Sequence, residues 1–406
     1  MDSVSGHWVR QGNLIILNGL GPVATEEREF SRIFPWSVPN FPAKPAGAPG
    51  GFSLPVSLFP PKPPDPLVTD PKLEGAINKA IVKLERDRNF KPNTYPVRFT
   101  FVDVTNGSGP FPSGGHGETL TDYIASEAKV AVMYSAYALR DMVRRFAAAT
   151  GANKANLFTR LAKQMDPSII NASRKIAVSL LTDGHRVPSY KDVFALTPTS
   201  GQGVTVSFSP AFNQALEGMI VPSDNQLAGR CVRGVGYGYL NGVLEATGFF
   251  DSSSPHGGGL WVAGDFQQGK NWPSVGIVSS NDGFVAQAGT TRDMAKLVSL
   301  IMTDGILDAA SCAEMRGRLA RSAKIPPGPW ISRTGIFPPG TITHNKLGLG
   351  SLKSKKPFRS EVSVYQSPVK RGRRYVVAWQ NLITPWPIGV VDLAGIIKST
   401  ITEFER

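Results

Sequence analysis

The sequence predicts an α+β fold, an antiparallel sheet flanked by helices and interrupted by an inserted all-helical subdomain. Two observations point there. Strand-like alternation appears near residue 100 and again in three runs after residue 346, and the stretch between them is dominated by apolar residues at helical spacing. At 406 residues the chain is long for one compact domain, which favours two subdomains or a core with a large insertion. Composition agrees with a globular protein: 41% hydrophobic and 18% charged residues exclude disorder along the whole chain, while 42 Gly and 33 Pro imply many turns. No apolar run reaches the ~18 to 20 residues that a membrane span requires. Cys231 and Cys312 are too few for a disulfide-built scaffold and make no CxxC pair, so both are expected to pack as small apolar groups.

The elements follow in order. Residues 1–34 join a short apolar stretch, Leu14 to Leu17, to an acidic patch at Glu26, Glu27 and Glu29. From residue 34 to 71 prolines recur every few positions, which favours polyproline and loop conformations and reads as a wrapping arm or linker ending near Asp70. Asp70 and Pro71 then cap and open a helix with Leu73, Ile77, Ala80, Ile81 and Leu84 on one face. Residues 95–104 alternate through Val97, Phe99 and Phe101 as a strand, and residues 106–117 read as a Gly/Ser/Pro loop. The most apolar helix is expected at residues 126–149, followed by helical segments to about residue 244. A Gly-rich region at 257–283 leads to helices at 291–303 and 309–320. Strands at 347–352, 360–366 and 375–382, separated by basic turns, and a closing helix at 392–404 complete the chain. The expected division is a Pro-rich extension (1–71), an α/β subdomain with antiparallel sheet (72–120 and 284–406) and a helical subdomain (121–283).

Three short motifs occur in order: Ser126-Glu127-Ala128-Lys129 (S-x-x-K), Ser223-Asp224-Asn225 (S-D-N) and Lys346-Leu347-Gly348, where a K-T-G would stand. Each alone is weak. Ser367 to Lys370 is a second S-x-x-K, Ser279-Ser280-Asn281 resembles S-D-N, and Lys370-Arg371-Gly372 is another K-x-G. Ser126 differs from Ser367 in opening a strongly apolar helix, whereas Ser367 precedes a proline in a basic turn. On a helix, positions i and i+3 share a face, so Ser126 Oγ and the Lys129 amine could meet at hydrogen-bond distance. A serine hydroxyl becomes a good nucleophile only when a neighbour removes its proton, and a lysine can do so only if burial or another cation lowers its pKa. The bland alternative is a helix cap beside a solvated lysine.

With these motifs the chain resembles the serine beta-lactamase and penicillin-binding-protein superfamily, and within it the class A beta-lactamase branch. The likeness extends to IASEAKVAVMYSAYAL, ALEGMIVPSDNQLAG, TTRDMAKLVSLIMTDGILDAASCAEMRGRL and the runs NKLGLG, EVSVYQS and RRYVVAWQN, over residues 72–406. The resemblance implies a beta-lactamase/DD-peptidase-like fold and a serine acyl hydrolase or acyltransferase acting on an amide or ester. It implies Ser126 as nucleophile, Lys129 as proton acceptor and Ser223 as proton relay. Asn225 would contact the substrate amide or orient Lys129, and Lys346 would set the electrostatics of the cleft. The backbone N–H groups of Ser126 and Leu349 would form an oxyanion hole, and Gly348 would let the substrate lie along the strand edge.

Two departures qualify what the resemblance implies. The family's deacylating glutamate, in an E-x-x-L-N context after S-D-N, has no counterpart: Leu240-Asn241 lacks the glutamate three residues earlier, and Glu245 is the only glutamate between Asp224 and Thr290. Efficient beta-lactamase activity is therefore not expected. Leu347 stands where the family has Thr or Ser to hold a substrate carboxylate, which an apolar side chain cannot do. Either substrates lack the carboxylate, or His344 or the basic turns take over its recognition.

The five histidines, His7, His116, His185, His256 and His344, show no metal-ligand spacing, and no phosphate-binding loop is present, so neither metal nor cofactor is expected. By strand alternation His344 would share a face with Lys346. The expected partner is a small-molecule or peptide substrate. Part of the net charge of +13 is local to one short stretch, Lys346, Lys353, Lys355, Lys356, Arg359, Lys370, Arg371, Arg373 and Arg374, which reads as a solvated hairpin surface rather than a nucleic-acid interface. Residues 1–9 carry no secretion signal, which leaves a cytoplasmic protein or one whose signal is missing. The rival expectation is a catalytically idle relative that binds an anionic partner.

Overall fold

The computed structural model describes residues 7–11, 14–18, 54, 56–88, 97–173, 181–200, 203–253, 258–267, 271–326, 328–383 and 388–406. The acidic patch at Glu26 to Glu29 and the proline-rich stretch up to residue 53 lie outside them. Leu14 to Leu17 belong to a strand, Leu14–Asn18, that pairs antiparallel with His7–Gln11.

The architecture is the expected α+β arrangement, centred on a six-stranded sheet. Its strands are β1 (Leu67–Thr69), β2 (Arg98–Asp103), β3 (Phe111–His116), β4 (Ile342–Ser351), β5 (Pro357–Gln366) and β6 (Arg374–Leu382), in the spatial order β4-β5-β6-β2-β3-β1. All neighbours are antiparallel except β3 and β1. Side chains alternate between the faces, as the period of two requires. Phe99, Phe101, Tyr375, Val377 and Trp379 enter an outer cluster. Helices α1 (Pro71–Arg88) and α8 (Ile388–Phe404) cover it with Leu73, Ile77, Leu393 and Ile397. Val102, Val362, Val364, Val376 and Ala378 point the other way into the main core.

That core is organised around α2 (Lys129–Thr150), whose sequence VAVMYSAYAL is apolar on every side, as a central helix must be. It ends where Gly151 takes a left-handed backbone (φ 59) and returns its N–H to Ala147 O. Around it lie α3 (Pro210–Ile220), α4 (Asn225–Val235), α5 (Tyr237–Ala246), α6 (Thr291–Met302) and α7 (Ala309–Lys324). Charged contacts tie three of these together: Arg140 on α2 grips Glu314 on α7 at 3.0 Å, and Arg318 on α7 reaches Glu217 on α3 at 2.6 Å. Cys231 and Cys312 are buried and unpaired.

Several segments differ from their sequence reading. The loop expected at 106–117 contains β3: FPSGGH has little intrinsic strand preference, but pairing with β2 imposes it. Gly115 is needed there because a Cβ would sit 2.5 Å from Phe99 O. The end of the proline-rich arm is packed rather than loose. Leu58 and Phe59 are buried in the main core, Tyr239 donates to Leu58 O at 3.4 Å, and Leu67–Thr69 joins the sheet as β1. The stretch expected to be all-helical also holds a hairpin, Phe194–Pro198 with Val204–Phe208, whose Val204, Val206 and Phe208 alternate about a polar turn. The segment opening at Ser126 is a short 3-10 turn, Ala125–Ala128, and the α-helix begins at Lys129.

Candidate active site

The three motifs meet at one crevice. The 3-10 turn Ala125–Ala128 places Ser126 there, the connection between α3 and α4 supplies Ser223, the start of α4 supplies Asn225, and strand β4 supplies Lys346, Leu347 and Leu349. The cavity has a volume of about 230 Å³ and is completed by Val221, Pro222, Ser322, Ile325 and Gly328. A smaller one of about 120 Å³ adjoins it across Ser126, lined by Tyr123, Ala125, Asn225, Phe266, Ser274, Gln287 and Leu349.

Backbone geometry brings the pieces into place. Asp224 caps α4, its Oδ1 accepting from Leu227 N at 2.8 Å, and this fixes Asn225 as the first helical residue. Ser223 just before it has φ 63, and Ala125 just before the serine nucleophile candidate has φ 48. Both are left-handed conformations that non-glycine residues adopt at a cost of about 1 to 3 kcal/mol. Ser126 lies in the first turn of its helical segment, where backbone N–H groups have no acceptor within the helix. β4 is one of the two edge strands of the sheet.

Lys129 has no solvent exposure. Its Nζ donates to Ser223 O at 2.7 Å and to Asn225 Oδ1 at 2.7 Å, lies 3.3 Å from Ser223 Oγ, and sits 5.1 Å from the centroid of the Phe266 ring. Burial pushes its pKa down to about 7, with Asp224 pulling the other way. The hydrogen bond to Ser126 expected from the i, i+3 spacing is not formed, because the acceptors of the S-D-N loop draw the amine toward themselves.

Lys346 is also fully buried, although its sequence neighbourhood reads as a solvated basic surface. Its Nζ lies 2.6 Å from Ser223 Oγ and 3.0 Å from Leu347 O. Burial first, and the nearby Lys129 second, hold its pKa well below the usual lysine range, while Glu127 opposes them. Two amines thus flank one hydroxyl, and protonation of either disfavours protonation of the other.

Two residues at the site had no part in the sequence reading. Glu127, inside the S-x-x-K itself, is wholly buried. Burial drives its carboxyl well above the usual range; Lys346 pulls it down and Glu361 pushes it up. The Ser360 proton goes to Ile124 O at 3.0 Å, which leaves neither Glu127 oxygen with a hydrogen-bond partner. The apolar residues on both sides of the motif were the available signal of this burial. Phe266, which faces Lys129, lies in a Gly-rich stretch that offered no signal.

Gly348 is also required by packing. A Cβ there would meet Ser360 Oγ at 2.2 Å and Ile124 O at 2.6 Å, so the glycine lets the turn carrying Ser126 pack directly on the strand. His344 does not join the residues lining either cavity among those described. Its Nδ1 lies 2.8 Å from Thr343 Oγ1, and burial together with Arg316, Arg374 and Lys324 lowers its pKa to about 4. Glu245 is engaged elsewhere, with Ser252 N at 3.1 Å. Among the described residues no group of three or more His, Cys, Asp or Glu side chains could hold a metal ion, and no helix is long and apolar enough to cross a membrane.

The chain matches no protein-family model and no curated protein sequence. Solved structures similar to it include the TLA-3 extended-spectrum beta-lactamase, at 13% identity and a TM-score of 0.47, over 80% of this chain and 98% of that one. A beta-lactamase from Sphaerobacter thermophilus is similar at 14% identity and a TM-score of 0.44, over 82% and 97%. PBP-A is similar at 16% identity and a TM-score of 0.44, over 86% and 99%. The chemistry of the crevice rests on the chain's own residues.

Proposed function

We propose that the protein is a serine acyl hydrolase or acyltransferase that forms an acyl-enzyme on Ser126 from an amide or ester. The observation that carries this reading is the convergence of two buried amines on Ser223 at a crevice lined by Ser126. The crevice would lie between an α/β part, residues 72–120 and 284–406, and the part formed by residues 121–283.

A neutral lysine amine has two N–H groups and one lone pair. The two N–H groups of Lys129 are used by Ser223 O and Asn225 Oδ1, which leaves the lone pair for a hydroxyl proton. Its pKa of about 7 makes the neutral form available near neutral pH. Ser126 Oγ would attack the carbonyl carbon as its proton passes to Lys129 Nζ. The oxyanion would be held by the N–H groups of Ser126 and Leu349, donors typically worth about 2.7 to 4 kcal/mol each. The proton on Lys129 would then cross the Ser223 hydroxyl to the departing nitrogen or oxygen, the C–N or C–O bond would break, and an ester on Ser126 would remain. Lys346 would hold the Ser223 hydroxyl in orientation from the other side.

Removal of the acyl group needs a base for water. The adjoining cavity presents Ser274, Gln287 and Asn225, and no carboxylate or imidazole among its described lining residues. Hydrolysis of a beta-lactam acyl-enzyme would therefore be slow and the adduct long-lived. Intact-protein mass after incubation with a fluorophosphonate or a penicillin tests the reading: a single adduct, absent in Ser126→Ala, is expected. Folded protein that no acylating probe modifies would overturn it in favour of a cleft that only binds.

A further inference from the structure

The walls of the crevice describe its substrate. Besides Ser126, Ser223, Asn225 and Lys346, the described lining is Val221, Pro222, Ile325, Leu347 and Leu349 with Ser322 and Gly328. The large apolar side chains left exposed among the described residues are Val68, Val82, Ile325, Leu349 and Val369, and two of these five stand at this one crevice, Ile325 at 43% and Leu349 at 53% exposure. Exposed apolar side chains gathered at a cavity mark a surface that meets apolar matter.

The cationic side of the site is closed to a substrate anion. Lys346 is the only cation among the described residues lining the larger cavity; it is wholly buried and engaged with Ser223 Oγ and Leu347 O. Lys129 is equally buried, behind Ser223 and Asn225. Among the described residues no arginine lines either cavity, and Leu347 offers no hydroxyl. A carboxylate entering this space would lose its water and meet at most hydroxyl and amide donors such as Ser322, with no free cation to balance its charge, which is costly for a charged group.

We infer that Ser126 takes uncharged acyl donors, neutral esters or amides with an apolar group seated against Ile325 and Leu349, in preference to donors that carry a carboxylate beside the scissile bond. At about 230 Å³, the room of about eight water molecules, the cavity suits a short acyl chain or a single ring. The inference rests on the acyl-enzyme reading and sharpens it to a substrate class.

Benzylpenicillin and its methyl ester share one reactive ring and differ in the carboxylate. Time-resolved intact mass of the full chain should show Ser126 acylated at least tenfold faster by the methyl ester. Placing a cation at the mouth with Ile325→Lys, at an exposed position where folding is not at stake, should close most of that gap by speeding the free acid. Leu347→Thr should do the same to a smaller extent. Equal or faster acylation by the free acid in the unaltered protein overturns the inference, as does a gap that Ile325→Lys leaves unchanged. A fluorophosphonate control separates the two levels: if it labels Ser126 while the ester preference is absent, only the substrate class falls; if no probe labels Ser126, the acyl-enzyme reading falls with it.

Discussion

Two sets of lysines, one in the turn after β4 and one at the crevice, have opposite surroundings. Lys353, Lys355 and Lys356 occupy the exposed turn between β4 and β5. Lys346, a few residues earlier on β4, is buried with Lys129 beside Ser223, and there the charged form is penalised. The same side chain meets water in one place and a dry interior in the other. The net charge of +13 therefore says little about the crevice, where burial disfavours the charged form of both amines.

The comparison breaks most visibly at Ser126 and Lys129. Ser126→Ala should abolish adduct formation, and Lys129→Met should slow acylation by ~10²- to 10⁴-fold, the usual share of a general base, with the thermal midpoint kept or raised because a buried amine is gone. Mass labelling over time and a thermal melt check both; a Lys129→Met protein that labels at the normal rate would make the buried amine a structural group.

The pH dependence comes next. Protonated Lys129 has no lone pair to accept the Ser126 proton, so acylation should fall as pH drops through about 7, by tenfold per unit below it, and level off above it. A limb near the ordinary lysine range would mean that burial does not tune this amine.

Gly348→Ala tests whether the turn and strand must touch. Its Cβ has no room beside Ser360 Oγ and Ile124 O, so a loss of about 1 to 3 kcal/mol is expected in urea denaturation, together with slower labelling as Ser126 is displaced. At the other end of the scale, replacing Lys353, Lys355 and Lys356 by Ser should change acylation less than about twofold and stability by less than about 0.5 kcal/mol for each. A large effect there would show that turn and crevice act together after all.

The strands and helices with strong periodicity were legible in the residues. The α1 face of Leu73 and Ile77, the apolar α2 and the β4 to β6 runs stand where their spacing put them, because a period of two or 3.6 fixes which side chains can be buried. The ordered trio of motifs likewise marked the segments that meet. The strand FPSGGH was illegible because pairing with β2, rather than its own preference, makes it a strand. Burial of Leu58 and Phe59 was hidden by the prolines around them.

From residue types and intervals alone come the α+β alternation, the apolar helix behind Ser126 and the candidate nucleophile with its lysine three positions on. Packing alone decides that Lys129 turns to Ser223 and Asn225, that Lys346 leaves the solvent while its basic neighbours stay in it, and that Glu127 is enclosed beside them. The reason is physical: intervals along a chain set the face on which a side chain lies. The acidity of that side chain depends on how much water and which charges surround it, and distant segments supply these only once they have come together.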